Sequence, residues 1–377
     1  MSTFQNKIQK NEKGVWRYAG FYDEFIKPEN RLKLNNRNTK ELEVENINKS
    51  LKNINHLYFK REDENETGSL KDRSLAYQVS LAKQNNKKKL VISTSGNAGI
   101  AAAAYCQKAG IKLYVFISPE TEKAKITEMQ EYNPVIIKSK RAIRLANYLA
   151  AKYKIENLRP SANDSSIEGF KAIAFEIFEN LGETDAIFTF VTSGSSFVGI
   201  GRAYQYLLEN KEIERIPKLY AVQSGDVFSV ASEFNNFCLS SEYNSGNPPS
   251  PLFQRGNSQA GKLGIKNTRR KKEILEFIKL SGGDGVYISE DEIKNAKNIL
   301  EKNNIFTSPE GRASFAGVIK ANKENKFNKV VCILSGKLRD KVSEINENEI
   351  YKAESFGEVD EIIDILSMNY LTSIRIT

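Results

Sequence analysis

The sequence has 377 residues, of which 40% are hydrophobic and 27% are charged, and its formal net charge is +9. This length predicts two domains, or one large domain with an insertion, with a core large enough to need neither disulfides nor a structural metal. Three cysteines without a CxxC spacing and a single His56 exclude a disulfide framework, a zinc ribbon and multi-histidine metal sites. We therefore predict no metal site.

The basic residues are dispersed along the chain and interleaved with acidic ones, as in KNAKNILEKNN at 294–304. Dispersed charge is typical of a solvated surface, so we predict no nucleic-acid partner. The denser RRKKE at 269–273 is expected to form the exposed first turn of a helix. No apolar run approaches 18 residues and the amino-terminal segment has no signal-peptide core, which predicts a cytoplasmic protein without a membrane partner.

Short apolar segments alternate with helical ones along the chain. Strands are predicted at 56–62, 90–94, 112–118, 134–139, 186–194, 218–225 and 329–336, and helices at 98–110, 120–132, 197–210 and 311–325. This alternation predicts an α/β fold with mostly parallel twisted sheets flanked by helices. The Gly-, Pro-, Asn- and Ser-rich segment 229–261 is predicted to be a long loop of the kind that forms lids, and the first thirty residues and the acidic tail 353–377 are predicted to be peripheral.

Two segments at predicted strand ends carry candidate reactive or anion-binding groups. In ETGSLKDRS, Lys71 follows a Gly-Ser turn and opens a helix, where a lysine can serve as a Schiff-base amine or simply lie in a capping turn. In ISTSGNAG, Thr94, Ser95 and Gly96 close a strand and Asn97 begins a helix. N–H groups and hydroxyls at such a junction suit a carboxylate or a phosphate, although Asn97 is equally compatible with an ordinary N-cap.

Two further segments follow later strands. FVTSGSSFVGIG at 190–201 offers the hydroxyls and N–H groups of a small-residue turn to a phosphate monoester, and it matches neither the Walker A loop nor the GxGxxG pattern. In CILSGKLRD, Ser335 ends the last predicted strand. A hydroxyl there can hydrogen-bond an uncharged pyridine nitrogen or belong to a turn.

In this order, the four segments resemble those of the fold-type II pyridoxal-phosphate enzymes of the tryptophan synthase β superfamily. The similarity is greatest to the threonine synthases, whose motifs are GSFKDR, SSGNT, a glycine-rich phosphate loop and TGHGLKD. The segment 263–318, with its SGG turn and PEG-x-A-S-x-AG sequence, is also similar to that family, and the resemblance covers roughly residues 40–345. It implies a two-domain fold-type II architecture. The implied division is a large cofactor-binding domain of 1–75 and 186–352, a small substrate-side domain of 76–185 and a C-terminal tail of 353–377.

The resemblance also implies roles for individual residues. Lys71 is similar to the lysine that binds pyridoxal 5'-phosphate and moves the proton at the substrate Cα, and Asn97 to the residue that hydrogen-bonds the phenolic oxygen of the cofactor. The other implied contacts are the substrate α-carboxylate with Thr94, Ser95 and Gly96, the cofactor phosphate with Thr192, Ser193, Gly194, Ser195 and Ser196, and the pyridine nitrogen with Ser335.

The activity implied by the resemblance is that of a lyase which converts O-phospho-L-homoserine and water to L-threonine and phosphate by elimination and addition. A β-replacement on serine, phosphoserine or O-acetylserine, as in cysteate or cysteine synthases, is the alternative, and a catalytically divergent paralogue is another. The positive net charge favours small anionic amino-acid substrates. The family resemblance also implies a homodimer.

The sequence departs from the family motifs where substrate is expected to bind. SGNT is SGNA here, with Ala98 in place of a hydroxyl residue, TGHGLKD is SGKLRD, and only LEVENINKSL at 42–51 stands where the family has G-E-G-N-T-P-L. Lys337, Arg339 and Lys60 are the candidate cations for a substrate phosphate. Such changes alter the substrate that a site accepts more than they alter the fold.

Overall fold

The computed structural model describes residues 3–34, 38–94, 96–160, 163–225, 229–233, 268–340 and 344–374, with side chains of the last helix described through residue 367. The chain divides into two compact units. Unit 1 contains Met1–Phe25, Asn35–Ser74 and Ile167–Leu338, and unit 2 contains Ile26–Leu34, Leu75–Ser166 and Arg339–Thr377. Most of the loop predicted at 229–261 lies outside the described residues, as does Ser95.

The described residues form strands and helices in alternation. The strands are β1 (Glu41–Glu43), β2 (Ile54–Lys60), β3 (Lys89–Ser93), β4 (Lys112–Ile117), β5 (Val135–Lys138), β6 (Glu156–Asn157), β7 (Ala186–Phe190), β8 (Lys218–Ser224), β9 (Asp284–Ile288), β10 (Phe327–Ile333) and β11 (Ile350–Lys352). The α-helices are α1 (Thr3–Lys7), α2 (Glu45–Ser50), α3 (Lys71–Gln84), α4 (Asn97–Ala109), α5 (Lys123–Gln130), α6 (Ala142–Tyr153), α7 (Ser166–Leu181), α8 (Ser195–Glu209), α9 (Lys271–Ser281), α10 (Glu290–Lys302), α11 (Pro309–Ala321) and α12 (Phe356–Ile374).

Unit 1 is built on a six-stranded sheet in the order β1-β2-β10-β7-β8-β9. The edge pair β1 and β2 is antiparallel and the other neighbours are parallel. The central strand β7, with the sequence AIFTF, is buried at every residue, as is typical of a parallel sheet covered on both faces. The hydrophobic core of unit 1 includes Phe59 and Phe188 of the sheet together with Phe315 of α11.

Unit 2 is built on a five-stranded parallel sheet in the order β11-β5-β4-β3-β6. Strand β3 ends at Ser93, and the chain turns there into α4. The run of alanines in α4 favours a helix because alanine has the highest intrinsic helix propensity. The helix ends at Gly110, whose φ of 66° is the left-handed conformation common at helix C-termini.

The predicted α/β fold class is confirmed, and each predicted strand and helix is present with bounds that differ by a few residues. The helices predicted from the sequence do not include α6 or α7. Among the described residues, no helix is both long and apolar enough to span a bilayer.

The expectation that the first thirty residues are peripheral is wrong. Phe4, Trp16 and Tyr18 are at most 1% exposed. The ring of Phe21 lies 4.4 Å from that of Phe175 on α7, and the Phe4 ring lies 5.1 Å from that of Phe178. The polar residues between these aromatic side chains hide the apolar pattern in the sequence, so burial by α7 becomes evident only in three dimensions.

The carboxyl-terminal segment is also part of a core rather than peripheral. β11 pairs with β5 in the sheet of unit 2, with Ile350 opposite Ile136. Three buried residues of α12, Val359, Ile362 and Ile363, belong to the same cluster as Leu145 and Leu149 of α6. The units therefore divide the chain elsewhere than at the predicted domain boundaries, because α7 belongs almost wholly to unit 1 and the tail to unit 2.

A buried ion-pair network joins α3 to β2, β1 and α7 inside unit 1. Arg73, in the first turn of α3, is 1% exposed and contacts Glu62 at 2.8 Å and Glu176 at 2.6 Å. Lys60 at the end of β2 is fully buried, pairs with Glu41, and lies 3.3 Å from Glu176. Burial alone raises the pKa of Glu62, but Arg73 and Lys60 hold it below its ordinary value. Each charge in the network therefore depends on its partners.

Two glycines allow three helices of unit 1 to approach closely. A Cβ on Gly169 of α7 would lie 2.0 Å from the carbonyl oxygen of Arg73, so only glycine fits against the first turn of α3. A Cβ on Gly199 of α8 would lie 2.6 Å from Cβ of Phe170 and 2.9 Å from the carbonyl oxygen of Ile167. The amino-terminal parts of α3, α7 and α8 are thus held in direct contact.

Replacing Arg73 with Met is expected to destabilise the fold by about 3–5 kcal/mol, because Glu62 and Glu176 would remain buried without their cation. The exposed pair of Arg215 and Asp185, 2.8 Å apart, provides the matched control, since Arg215→Met should change stability by less than about 1 kcal/mol. Urea unfolding followed by circular dichroism measures both. Equal effects of the two variants would contradict a structural role for the network.

Replacing Gly169 with Ala is expected to separate α7 from α3 and to lower the thermal unfolding midpoint by several degrees, because the added methyl group meets a backbone oxygen. Gly357 in α12 is the control, since a Cβ there meets no atom within 4 Å and alanine favours the helix. Differential scanning fluorimetry compares the two variants. An unchanged midpoint for Gly169→Ala would show that the close contact is not required.

Candidate active site

The Lys71 and Ser335 segments lie side by side in unit 1. The N–H group of Leu70 donates to the carbonyl oxygen of Ser335 at 3.0 Å, and the N–H group of Lys337 donates to that of Gly68 at 2.8 Å. Ser69 and Gly336 form an antiparallel bridge between them. Because β2 and β10 pair in parallel, both chain segments leave the sheet at the same end. Leu70, the residue before Lys71, therefore contacts Ser335.

Gly68 is required in this arrangement for two reasons. Its φ of 77° is a left-handed conformation that disfavours other residues, and a Cβ there would lie 2.3 Å from Cδ of Lys337. The aliphatic part of Lys337 therefore lies flat over the turn that precedes Lys71. The departure from the family at Lys337 thus affects a residue that packs on the Lys71 segment.

The environment of Lys71 favours a neutral amine. Its Nζ lies 5.2 Å from the centre of the Phe170 ring. Burial lowers the pKa of Lys71 to about 8, although the negative charge of Glu310 opposes this shift. An amine with a lowered pKa is nucleophilic near neutral pH, so unit 1 presents Lys71 as a reactive lysine.

The candidate phosphate loop connects β7 to α8, also in unit 1. Gly194 has a φ of 87°, and a Cβ there would lie 2.4 Å from Cδ1 of Ile274. Ser195 and Ser196 then begin α8 and are buried, while Thr192 and Ser193 are partly exposed. The first N–H groups of a helix lack intrahelical acceptors and face its amino-terminal end, where they favour an anion.

The Phe170 ring links the reactive lysine to this loop. The ring lies beside the ammonium group of Lys71, and its Cβ is the atom that Gly199 of α8 approaches. The structure therefore places Lys71, Ser335 and the beginning of α8 around neighbouring elements of unit 1. Phe170 gives no sequence signal of this role, because a buried phenylalanine in a helix is ordinarily read as core.

The Thr94–Asn97 segment lies in unit 2, between β3 and α4. The hydroxyl oxygen of Thr94 accepts a hydrogen bond from the N–H group of Gly96 at 3.2 Å. Asn97 is the first residue of α4, and its Oδ1 is buried without a hydrogen-bond partner in the described structure. A buried amide group that lacks a partner inside the protein is a candidate for binding a ligand.

Two of the three candidate cations for a substrate phosphate are engaged inside the protein. Lys60 is fully buried in the ion-pair network and donates to the carbonyl oxygen of Thr39 at 3.0 Å, so that prediction is wrong. The Arg339 side chain is 3% exposed and pairs with Glu128 on α5 at 3.1 Å. The sequence does not reveal these pairings because the partners are distant in the chain.

Arg270 is a further residue near the phosphate loop that the sequence pattern misplaces. The sequence pattern predicts that this residue lies in an exposed first turn of a helix. In the structure Arg270 is 8% exposed, and its Nη1 lies 2.9 Å from Glu273. Its Cβ lies 3.4 Å from the position of a Cβ on Gly194. Packing of α9 against α8 buries this arginine, which a run of basic residues in the sequence cannot indicate.

The model of the family described as "Pyridoxal-phosphate dependent enzyme" matches residues 32–336. A threonine synthase of Methanocaldococcus jannaschii is 28% identical over 359 residues, which cover 92% of this chain and 85% of that protein. A threonine synthase of a Bacillus species is 26% identical over 320 residues, which cover 82% of this chain and 85% of that protein.

Solved structures of other proteins share the architecture of this chain. Serine racemase from Dictyostelium discoideum superposes with a TM-score of 0.65 at 23% identity, covering 81% of this chain and 94% of that chain. Threonine deaminase isoform 2 from Solanum lycopersicum superposes with a TM-score of 0.63 at 20% identity, covering 80% and 84%. The family match extends over most of the sequence and these structures share its α/β fold. The chain therefore belongs to the pyridoxal-phosphate-dependent enzymes, with pyridoxal phosphate as its cofactor and with the fold-type II, threonine synthase-like architecture.

Proposed function

We propose that this protein is a pyridoxal-phosphate-dependent lyase that acts on small anionic amino acids, as threonine synthases do. The proposed reaction is the conversion of O-phospho-L-homoserine and water to L-threonine and phosphate. The observation that carries the proposal is that unit 1 joins a lysine of lowered pKa to Ser335 and, through Phe170, to the beginning of α8.

The residues of unit 1 fit such a cofactor. Gly194 forms a left-handed turn directly before α8, and the amino-terminal end of a helix favours a phosphate group. We propose that Thr192, Ser193, Gly194, Ser195 and Ser196 hold the cofactor phosphate. The turn is compact because Ile274 occupies the space that a side chain at Gly194 would need.

The remaining contacts with the cofactor are assigned to Asn97 and Ser335. The amide of Asn97 has hydrogen-bonding capacity that the protein does not use, since its buried oxygen lacks a partner in the described structure. We propose that the NH2 group of this amide donates to the phenolic oxygen of the cofactor. Ser335 is proposed to bind the pyridine nitrogen. A serine hydroxyl is uncharged and therefore leaves this nitrogen unprotonated, which favours elimination and replacement chemistry.

When bound, the cofactor supplies an electron-withdrawing ring that stabilises negative charge at the substrate Cα. The protein supplies the base: Lys71, with its pKa lowered by burial to about 8, is proposed to hold the cofactor covalently until the substrate amine displaces it. The amine of Lys71 that is released would then take the proton from Cα. We propose that Thr94, Ser95 and Gly96 hold the substrate α-carboxylate through N–H groups and hydroxyls. Holding the carboxylate would restrict the orientations available to the substrate.

A β-replacement on serine, phosphoserine or O-acetylserine is the second candidate. Ala98 supplies no hydroxyl where threonine synthases have one. Gly99 permits close packing with Met129 and Thr94, since a Cβ there would lie within 2.7 Å of both side chains. The Gly-containing loop is similar to that of cysteine synthases. A homodimer is proposed from the family resemblance alone, and sedimentation equilibrium tests it.

We expect Lys71→Ala to abolish covalent attachment of the cofactor. Reduction of the purified protein with borohydride should add the pyridoxyl mass to the peptide that contains Lys71, and no label should appear in the variant. Lys87, an exposed lysine beyond α3, is the control, and Lys87→Ala should label as the original protein does. Label on another lysine of the original protein would refute this assignment.

The lowered pKa of Lys71 also predicts a pH dependence of cofactor capture. Below its pKa of about 8 the amine is protonated and cannot attack the cofactor carbonyl. The rate at which cofactor-free protein takes up pyridoxal phosphate, followed by absorbance, should rise with pH and level off just above pH 8. A rate that continues to rise toward the ordinary lysine value of 10.5 would contradict the burial argument.

The two candidate reactions are separated by a substrate panel. Phosphate release from O-phospho-L-homoserine should exceed that from O-phospho-L-serine by at least about tenfold in kcat/KM, which corresponds to about 1.4 kcal/mol of discrimination. Release of acetate from O-acetyl-L-serine in the presence of sulfide serves as the third arm. Preference for a serine derivative would establish β-replacement instead, and binding without turnover of any substrate would identify a divergent paralogue.

A further inference from the structure

Lys125 of α5 lies directly against the Thr94–Gly96 loop of unit 2. A Cβ on Gly96 would come within 3.0 Å of Lys125 Cδ and within 3.4 Å of its Nζ. The φ of Gly96 is 175°, an extended conformation that any residue adopts, so glycine is not needed here for its backbone. Its missing side chain instead leaves the space that the lysine side chain occupies.

The packing of α5 on the beginning of α4 fixes this position. Met129, one turn after Lys125 on the same helix, is fully buried and its Sδ would lie 2.7 Å from a Cβ on Gly99. Residues four apart on a helix share a face, as do residues three apart. Lys125 and Met129 therefore meet Gly96 and Gly99 as two matched pairs, and the buried Met129 anchors the lysine beside the loop.

The ion pair that Lys125 makes is partly exposed to solvent. Lys125 is paired with Glu122 at 3.1 Å, but the lysine side chain is 19% exposed and the carboxylate 39% exposed, so water screens this pair. Ser93, directly before the loop, is 5% exposed and its hydroxyl has no hydrogen-bond partner in the described structure.

We infer that Lys125 is a further binding residue for the α-carboxylate of the substrate. Its ammonium group adds a positive charge beside Gly96, next to the Thr94 hydroxyl that accepts from the Gly96 N–H group, and a charge-assisted hydrogen bond is stronger than a neutral one. This inference rests on the proposed function, because it assigns a ligand to the same loop. It also defines the substrate class: amino acids with a free α-carboxylate bind, and the corresponding amines and amides bind poorly.

The test compares the Lys125→Met variant with the unmodified protein, and both proteins carry bound cofactor. Dissociation constants are measured from the absorbance change of the cofactor for L-serine, L-serinamide, O-phospho-L-serine and O-phosphoethanolamine. L-serine and O-phospho-L-serine carry an α-carboxylate and the other two do not. Lys123→Met is the matched control, because Lys123 is an exposed residue two positions earlier on α5, and Lys125→Arg retains the charge.

We expect Lys125→Met to weaken binding of L-serine and O-phospho-L-serine by about ten- to hundred-fold. L-serinamide and O-phosphoethanolamine should change by less than about twofold, Lys123→Met should change none of the four, and Lys125→Arg should recover most of the affinity. Calorimetric titration with L-serine provides a readout that does not depend on the cofactor spectrum.

Three results would overturn the inference. Unchanged binding of L-serine by Lys125→Met would remove the residue from the site. Weaker binding of only O-phospho-L-serine and O-phosphoethanolamine would assign the lysine to a distal phosphate. Equal weakening of all four ligands would show a purely structural role. Failure of the proposed function is distinguishable from these, because the unmodified protein would then show no amino-acid-dependent spectral change at all.

Discussion

The contact between Gly169 and the carbonyl oxygen of Arg73 is the constraint on which the arrangement of unit 1 depends. Because a side chain at residue 169 would lie 2.0 Å from that oxygen, α7 can approach the first turn of α3 only through a glycine. The next residue, Phe170, is then placed beside the Lys71 ammonium group and against Gly199 of α8. One backbone contact thus relates the reactive lysine to the helix whose amino-terminal end is suited to a phosphate.

The buried ion pairs of Arg73 also hold α3 and α7 together. Arg73 comes two residues after Lys71, and its ion pairs with Glu62 and Glu176 attach the first turn of α3 to the turn that follows β2 and to α7. A buried network of this kind specifies one arrangement, since removing any member leaves an uncompensated charge. Lys60 belongs to the same network, which explains why a lysine next to the site segments has a structural role and no substrate to bind.

Glycines also allow close helix packing in unit 2, but the lysine that they position there is in a different environment. Gly96 and Gly99 let α5 pack closely on the beginning of α4, and the side chains that fill the space are Lys125 and Met129. In unit 1 the close contacts position a lysine whose pKa is lowered by burial. In unit 2 they position an ammonium group that stays partly exposed and paired with Glu122. Burial favours the neutral amine of Lys71, which suits covalent chemistry, whereas Lys125 lies partly exposed against Gly96, which suits contact with a ligand.

The sequence by itself determined the α/β class, the strand ends that carry Lys71, Thr94, Gly194 and Ser335, and the family, because apolar runs and small-residue turns are local patterns. It could not show the burial of the amino-terminal aromatic residues, the pairing of β11 with β5, or the engagement of Lys60 and Arg270, since each depends on a partner far along the chain. Lys125 illustrates the difference most clearly. In the sequence it is one of many dispersed basic residues, and only the packing of α5 on α4 brings its ammonium group to the loop.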